Sequence, residues 1–296
     1  MNDVISIFRR FYNKAIKIRD DISTPLRNRR RRQISVARKE GRTFISYIHQ
    51  IHSHIEIDPD SYLSSRVFIH KRYEPDLVFY LKRTLSPGMI CVDAGANVGY
   101  LSMLMAKRVG RQGCVVSFEP TARSFMALCK NIQLNSLTNI VAEQIALSDS
   151  NGTLEFNEGP PDYDVYNSAG NISHPSALSV AFQKRIVRCI TLDSYLSANK
   201  IEKVDLMKID VEGAELSVLK GMEGTLSRNP QAVLVIEFAD VTTAGFGYEA
   251  REIGFWLESR GWKLSVIETL GLTLPTSADR AWSGESVVAS RSGREG

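Results

Sequence analysis

Residues 88–100 read GMICVDAGANVGY: an apolar run ends on Asp93, and a glycine turn follows before a new helical pattern begins. A strand buried on both faces that delivers an acid into a glycine turn marks the first strand of a doubly wound α/β sheet, where ligands bind beyond the carboxyl ends of the strands. Further apolar runs support that reading: 114–119, 140–147, 204–210, 232–238, 263–268 and 286–290. Helical patterns lie between several of them, at 76–85, 99–108, 121–135, 213–226 and 246–260. Two shorter runs, GTLEF (152–156) and IVRCIT (186–191), flank a polar stretch within 157–185 that is too long for an ordinary connection. That length predicts a flap over the site.

The turn's chemistry narrows the ligand. A dinucleotide turn reads G-x-G-x-x-G and seats a pyrophosphate on a helix N-terminus. Gly95, Asn97 and Gly99 give G-x-N-x-G instead, and Asp93 repels phosphate. A ligand carrying an ammonium and a sulfonium suits that acid, and the glycines let backbone approach a nucleoside closely. Glu119 ends the next strand, twenty residues beyond Gly99, where a carboxylate accepts from both ribose hydroxyls. S-adenosylmethionine has these features. An NAD(P)-dependent oxidoreductase would share the fold and the Glu119 position but not the turn. A noncatalytic adaptor built on a cofactor fold is the other alternative.

The bulk composition agrees with a soluble enzyme. The 296 residues are 43% hydrophobic and 24% charged, with no membrane-length apolar run and no secretory leader, which predicts a cytoplasmic protein. Cys91, Cys114, Cys129 and Cys189 have no paired spacing and are expected to be free buried thiols. Residues 1–45 hold thirteen Lys/Arg against four Asp/Glu, net +9, so the rest of the chain carries −5. Val4, Phe8, Phe11, Ala15, Ile18 and Ile22 recur at helical spacing among cations, and RNRRRRQ follows at 27–33. This predicts a basic amphipathic helical extension over 1–60, ahead of a catalytic domain at 61–296. Its expected partner is a second subunit or, peripherally, a membrane surface. Nucleic acid ranks last, because no recognised DNA-binding motif or aromatic-interleaved basic platform accompanies the charge.

The chain resembles the FkbM family of S-adenosylmethionine-dependent methyltransferases. The matching stretches are YEP (73–75), VDAGANVGY (92–100), FEP (118–120), NIQLN (131–135), ALSD (146–149), TLDSYL (191–196), KIDVEGAELSVLKG (208–221) and VIEF (235–238), so the motif core covers 73–240. The resemblance implies a class I methyltransferase fold, a Rossmann-like seven-stranded sheet with its seventh strand inserted antiparallel. It implies methyl transfer to a hydroxyl of a sugar, glycolipid or polyketide-type product. By motif, Glu74, Asp93, Gly95, Ala96, Asn97, Gly99, Tyr100, Glu119, Ala146, Leu147 and Asp210 would contact the cofactor, with Ser148 or Asp149 near the adenine amino group. Family members often place a His just after the acid of the IEF stretch; Ala239 and Asp240 stand there in this chain.

An alcohol must lose its proton during transfer, and Glu212, Glu237, Asp240 and His174 are the candidate bases. Asp210, Glu212 and Glu237 could alternatively hold Mg²⁺ through carboxylates, the less favoured reading. His49, His52 and His54 resemble a metal set by number but lie outside the core pattern and are expected at the surface.

Overall fold

The computed structural model describes residues 24–291, so the amphipathic stretch Val4–Ile22 lies outside the described residues. Helix α1 (24–39) carries the 27–33 arginine cluster and leads into a hairpin, β1 (Phe44–Ile48) and β2 (Ser53–Ile57). Helices α2 (Tyr62–His70) and α3 (Pro75–Thr84) follow. Ser61 caps α2 by accepting the Ser64 N–H, and Pro75 opens α3 where no amide partner is needed.

The α/β alternation then runs β3 (Ile90–Ala94), α4 (Tyr100–Val109), β4 (Cys114–Phe118), α5 (Ala122–Leu134) and β5 (Ile140–Glu143). A side layer follows, β6 (Ala146–Leu147), β7 (Gly152–Glu158) and β8 (Gln183–Ile190). The chain returns through α6 (Leu192–Ala198), β9 (Leu206–Ile209), α7 (Glu215–Lys220), α8 (Glu223–Arg228) and β10 (Val233–Ala239). It ends with α9 (Asp240–Thr243), α10 (Arg251–Glu258), β11 (Lys263–Ile267), β12 (Thr273–Thr276) and β13 (Ser283–Ser290).

The main sheet has the order β12-β11-β13-β10-β9-β3-β4-β5. β13 is antiparallel to both β10 and β11, as the class I methyltransferase arrangement requires. β12 adds an eighth strand at the edge. Successive residues of β3 face opposite layers. Val92 and Ala94 join a core with Phe118, Leu219, Phe238 and Trp282, while Cys91 joins a second with Leu81, Met103, Ile48 and Ile55. All four cysteines are free; Cys91 and Cys189 are buried, and Cys114 and Cys129 are half-buried rather than buried.

Three expected elements differ in detail. The run 140–147 breaks after Glu143, because Ala146 and Leu147 leave the main sheet and pair in parallel with Cys189 and Ile190 of β8. The helix expected over 213–226 is two helices. Gly221 separates them where a Cβ would stand 1.9 Å from the Ser148 carbonyl oxygen, so close packing interrupts the helix. The helix expected over 246–260 spans only Arg251–Glu258, after a 3₁₀ turn at Ala244–Phe246 that ends on Gly247 in the left-handed region.

The expected boundary at residue 60 falls inside a shared core. Ile48, Ile51, Ile55 and Ile57 are fully buried against α3 and α4, so the first 60 residues are not a separate helical extension throughout. Short strands with a two-residue period left no helical signature to read. Among the described residues no helix is long and apolar enough to cross a membrane.

Candidate active site

The strand ends and the 159–182 excursion enclose a cavity of about 310 Å³, within the size range of small-molecule sites. Its floor is the turn after β3. Gly95 has φ +77°, and a Cβ there would lie 1.9 Å from the Asp210 carbonyl oxygen, so only glycine lets this turn close against the end of β9. Asn97 adopts φ 47°, and its backbone N–H donates to Glu119 Oε2 at 2.9 Å. Glu119 Oε1 accepts from the Thr121 N–H (3.0 Å) and hydroxyl (2.6 Å). Burial pushes the Glu119 carboxyl upward, against the pull of these hydrogen bonds. Oε2 keeps a lone pair for a further donor such as a ribose hydroxyl, whereas both lone pairs of Oε1 are taken.

Asp93 is fully buried. It accepts from the Ser102 hydroxyl at 2.5 Å and pairs with Lys208 Nζ at 3.5 Å, its neighbour in register on β9. Lys208 also reaches Asp210 (3.2 Å) and donates to the Gly95 carbonyl (2.9 Å). Burial would lower its proton affinity, but Asp210, Asp93 and Glu74 outweigh burial and hold it charged. Sequence reasoning passed over Lys208, although one lysine inside the apolar run VDLMKID requires buried acids beside it.

Asp93 is therefore not a free acid waiting for an ammonium, as the turn alone suggested. The cationic preference belongs to the whole cavity: Glu74, Asp93, Glu119, Asp164, Asp210 and Glu212 line it against Lys208 as the single cationic side chain. Buried Asn97 Oδ1 and Glu74 Oε2 have no hydrogen-bond partner, so acceptors are available to an ammonium or hydroxyls. Phe118, Ile145, Ala146 and Leu147 supply the apolar wall that a purine needs. These residues fit S-adenosylmethionine and oppose a pyrophosphate.

Of the expected cofactor contacts, Glu74, Asp93, Gly95, Ala96, Asn97, Tyr100, Glu119, Ala146, Leu147 and Asp210 line this cavity, together with Ser148. Gly99 does not. It begins α4 at φ +83° with a Cβ position 2.4 Å from Leu128 Cδ1, so it is small for packing against α5. Asp149 also lies outside the lining. Tyr73, Leu63, Asp164 and Phe246 line it without having been singled out in the sequence.

A second, more open cavity of about 580 Å³ shares Tyr73, Glu74, Val165 and Glu212 with the first. Glu212, Glu237 and His174 all line it, so the structure brings three of the four candidate bases to one cavity. Oxygens of Asp210, Glu212 and Glu237 lie within 4.8 Å of one another. Burial, then repulsion from Asp210, pushes Glu212 and Glu237 well above the usual carboxylate range. The same two causes push Glu74 up to about 7. Glu74 (φ 39°) and Glu212 (φ 54°) both hold left-handed backbone, strain that fixes side chains at sites.

His174 packs its ring on Tyr166 at 4.6 Å, and its Nδ1 accepts the Ser176 N–H at 3.2 Å. Asp240 is a structural tie instead of a base: its two oxygens accept the Ala250 and Trp282 N–H groups at 2.9 and 2.7 Å. The three histidines near residue 50 sit on the β1–β2 hairpin. Tyr47 packs on His49 and His54 and faces His52 Nδ1 at 3.4 Å.

Several known proteins are similar to this chain. Residues 93–264 match the model of the Methyltransferase FkbM domain, more than half of the chain. Methyltransferase sdnD of Sordaria araneosa is 32% identical over 196 residues, 57% of this chain and 75% of that protein. The 2-O-methyltransferase NoeI of Sinorhizobium fredii is 30% identical over 152 residues, 48% of this chain and 60% of that one. Among solved structures, the methyltransferase FkbM of Methylobacillus flagellatus is 13% identical with a TM-score of 0.42, covering 76% of this chain and 52% of that chain.

Proposed function

Because the chain belongs to the FkbM methyltransferase family, we propose that it transfers a methyl group to a hydroxyl of a sugar, glycolipid or polyketide-type acceptor. Its cofactor is S-adenosylmethionine, which when bound supplies a sulfonium methyl with a neutral leaving group. The observation that carries the hydroxyl reading is the shared wall of the two cavities, where Glu74 and Glu212 face both. A cofactor in the first cavity and an acceptor in the second would meet at those carboxyls. The similarity to a 2-O-methyltransferase supports an oxygen acceptor.

The chain's part is alignment and proton removal. Holding both reactants in line supplies much of the acceleration. Burial, with repulsion from Asp210, makes Glu212 and Glu237 bind a proton more tightly than solvated carboxylates, which suits an alcohol's proton. Glu237 lines the second cavity alone, away from the cofactor wall, and is the favoured base, with Glu212 beside it. Mg²⁺ is the less favoured use of these oxygens, because Asp210 already pairs with Lys208 at 3.2 Å.

Replacing Glu212 and Glu237 separately by Gln tests the assignment. Loss of the base should lower turnover roughly 10²- to 10⁴-fold while leaving S-adenosylhomocysteine affinity within about twofold. A chelator should have no effect. Full turnover in both variants, or abolition by chelator, contradicts the base.

A further inference from the structure

We propose that the second cavity takes an anionic acceptor, a hydroxyl-bearing ring whose carboxylate or phosphate is held by Arg66. The cavity lining is chemically mixed: Glu74, Glu212 and Glu237 share it with Arg66, His70 and Arg72. Tyr62, Arg66 and His70 are four residues apart on α2, so one helical stripe presents all three to the opening. The cofactor cavity lacks such a set, its only cationic side chain being the buried Lys208.

Arg66 is exposed, and its Nη1 donates to the Tyr62 hydroxyl at 2.8 Å, with the guanidinium 5.8 Å from the Tyr62 ring centre. This contact leaves most of its five donors for a ligand. Among the described residues no carboxylate forms an ion pair with Arg66. A guanidinium fork reads an oxyanion in two-point geometry, which a neutral alcohol cannot offer. Tyr62 on α2 and the stacked Tyr166 and His174 on the excursion add aromatic faces, suited to the C–H face of a sugar ring.

The lining also orients the ligand. An acid group paired with Arg66 leaves the hydroxyls of the ring to reach Glu212 and Glu237, which line the same cavity. A neutral polyol would lack that bias. The inference rests on the methyl-transfer reading for which end reacts, but its anion site is testable by binding alone.

Full-length protein saturated with S-adenosylhomocysteine should be titrated with methyl glucoside, methyl glucuronoside and a glucose phosphate ester, following ligand NMR or calorimetry. An acid-bearing ring should bind at least about tenfold more tightly than the neutral one at low salt, as expected for a charged hydrogen bond. That preference should shrink as salt is raised. Arg66→Ala should reduce the ratio of acid to neutral affinity towards one, Arg66→Glu should invert it, and Arg66→Lys should retain part of it. Tighter carboxylate than phosphate binding identifies a uronic-acid-type acceptor, and the reverse a phosphorylated one. Equal binding of acid and neutral rings, binding of neither acid, or a ratio unmoved by Arg66→Glu overturns the proposal. Failure of the methyl-transfer reading gives a different result: no methylated product from any acceptor, whatever the binding ratio.

Discussion

Glu215 is about 1% exposed, and its Oε1 accepts the Val211 and Gly213 N–H groups at 3.0 and 3.2 Å, bracing the turn that carries Glu212. Burial, only partly offset by those bonds, pushes its carboxyl up to about 7. Between its unfolded value and that figure the folded chain binds the extra proton. Its contribution to stability is therefore complete below about pH 4.5 and is lost as pH rises through about 7. Urea unfolding at pH 5 and pH 8 should show wild-type stability falling across this window. Glu215→Gln, which keeps an accepting oxygen, should remove up to about 3 kcal/mol of that fall. An unchanged pH slope would contradict this account of Glu215.

At the same scale, Asp93, Gly95 and Glu119 were legible because strand ends and glycine turns leave a fixed spacing. Lys208 and Glu215 were not, since their roles depend on which strands become neighbours. The pairing of Asp93 with Lys208 joins residues 115 positions apart in sequence through the register of β3 and β9.

The 159–182 excursion is latched to the start of α2. Burial pushes the Asp164 carboxyl up to about 6, against the pull of the Ser61 hydroxyl and the Leu63 N–H beside it. The Ser168 hydroxyl donates to the Glu212 carbonyl at 2.7 Å, and the Asn171 N–H to the Gly245 carbonyl at 2.9 Å. Asp164→Ala should speed hydrogen exchange across 159–182 and weaken S-adenosylhomocysteine binding several-fold, because Asp164 and Val165 line the cofactor cavity. Unchanged exchange there would show that the latch does not hold the excursion. Loop length alone predicted a covering segment. Its attachment could not be read, because Ser61 and Asp164 become partners only after α2 packs on the 3₁₀ turn Pro161–Tyr166.

Over the whole molecule, the β1–β2 hairpin is the largest element that periodicity missed, and it supports the site directly. Gln50 Oε1 accepts the Tyr100 hydroxyl (2.7 Å) and the Tyr73 N–H (2.8 Å), and both tyrosines line the cofactor cavity. Ile55→Ala should cost about 2–5 kcal/mol of stability by denaturant unfolding. Deleting residues 24–60 should abolish both cooperative unfolding and S-adenosylhomocysteine binding. A deletion that unfolds like wild type would restore the boundary at residue 60. The sheet itself was legible because strands buried on both faces read as apolar runs, whereas a short hairpin with one solvated face resembles ordinary loop sequence.

The most direct test of hydroxyl transfer is to incubate the full-length protein with methyl-labelled S-adenosylmethionine and a panel of neutral and acid-bearing glycosides and macrolide alcohols, then locate the label by mass spectrometry and NMR. The account predicts one labelled methyl ether per acceptor, formed by the wild type and lost in Glu237→Gln that still binds S-adenosylhomocysteine. Label on nitrogen or carbon, or an undiminished yield of ether from Glu237→Gln, would contradict it.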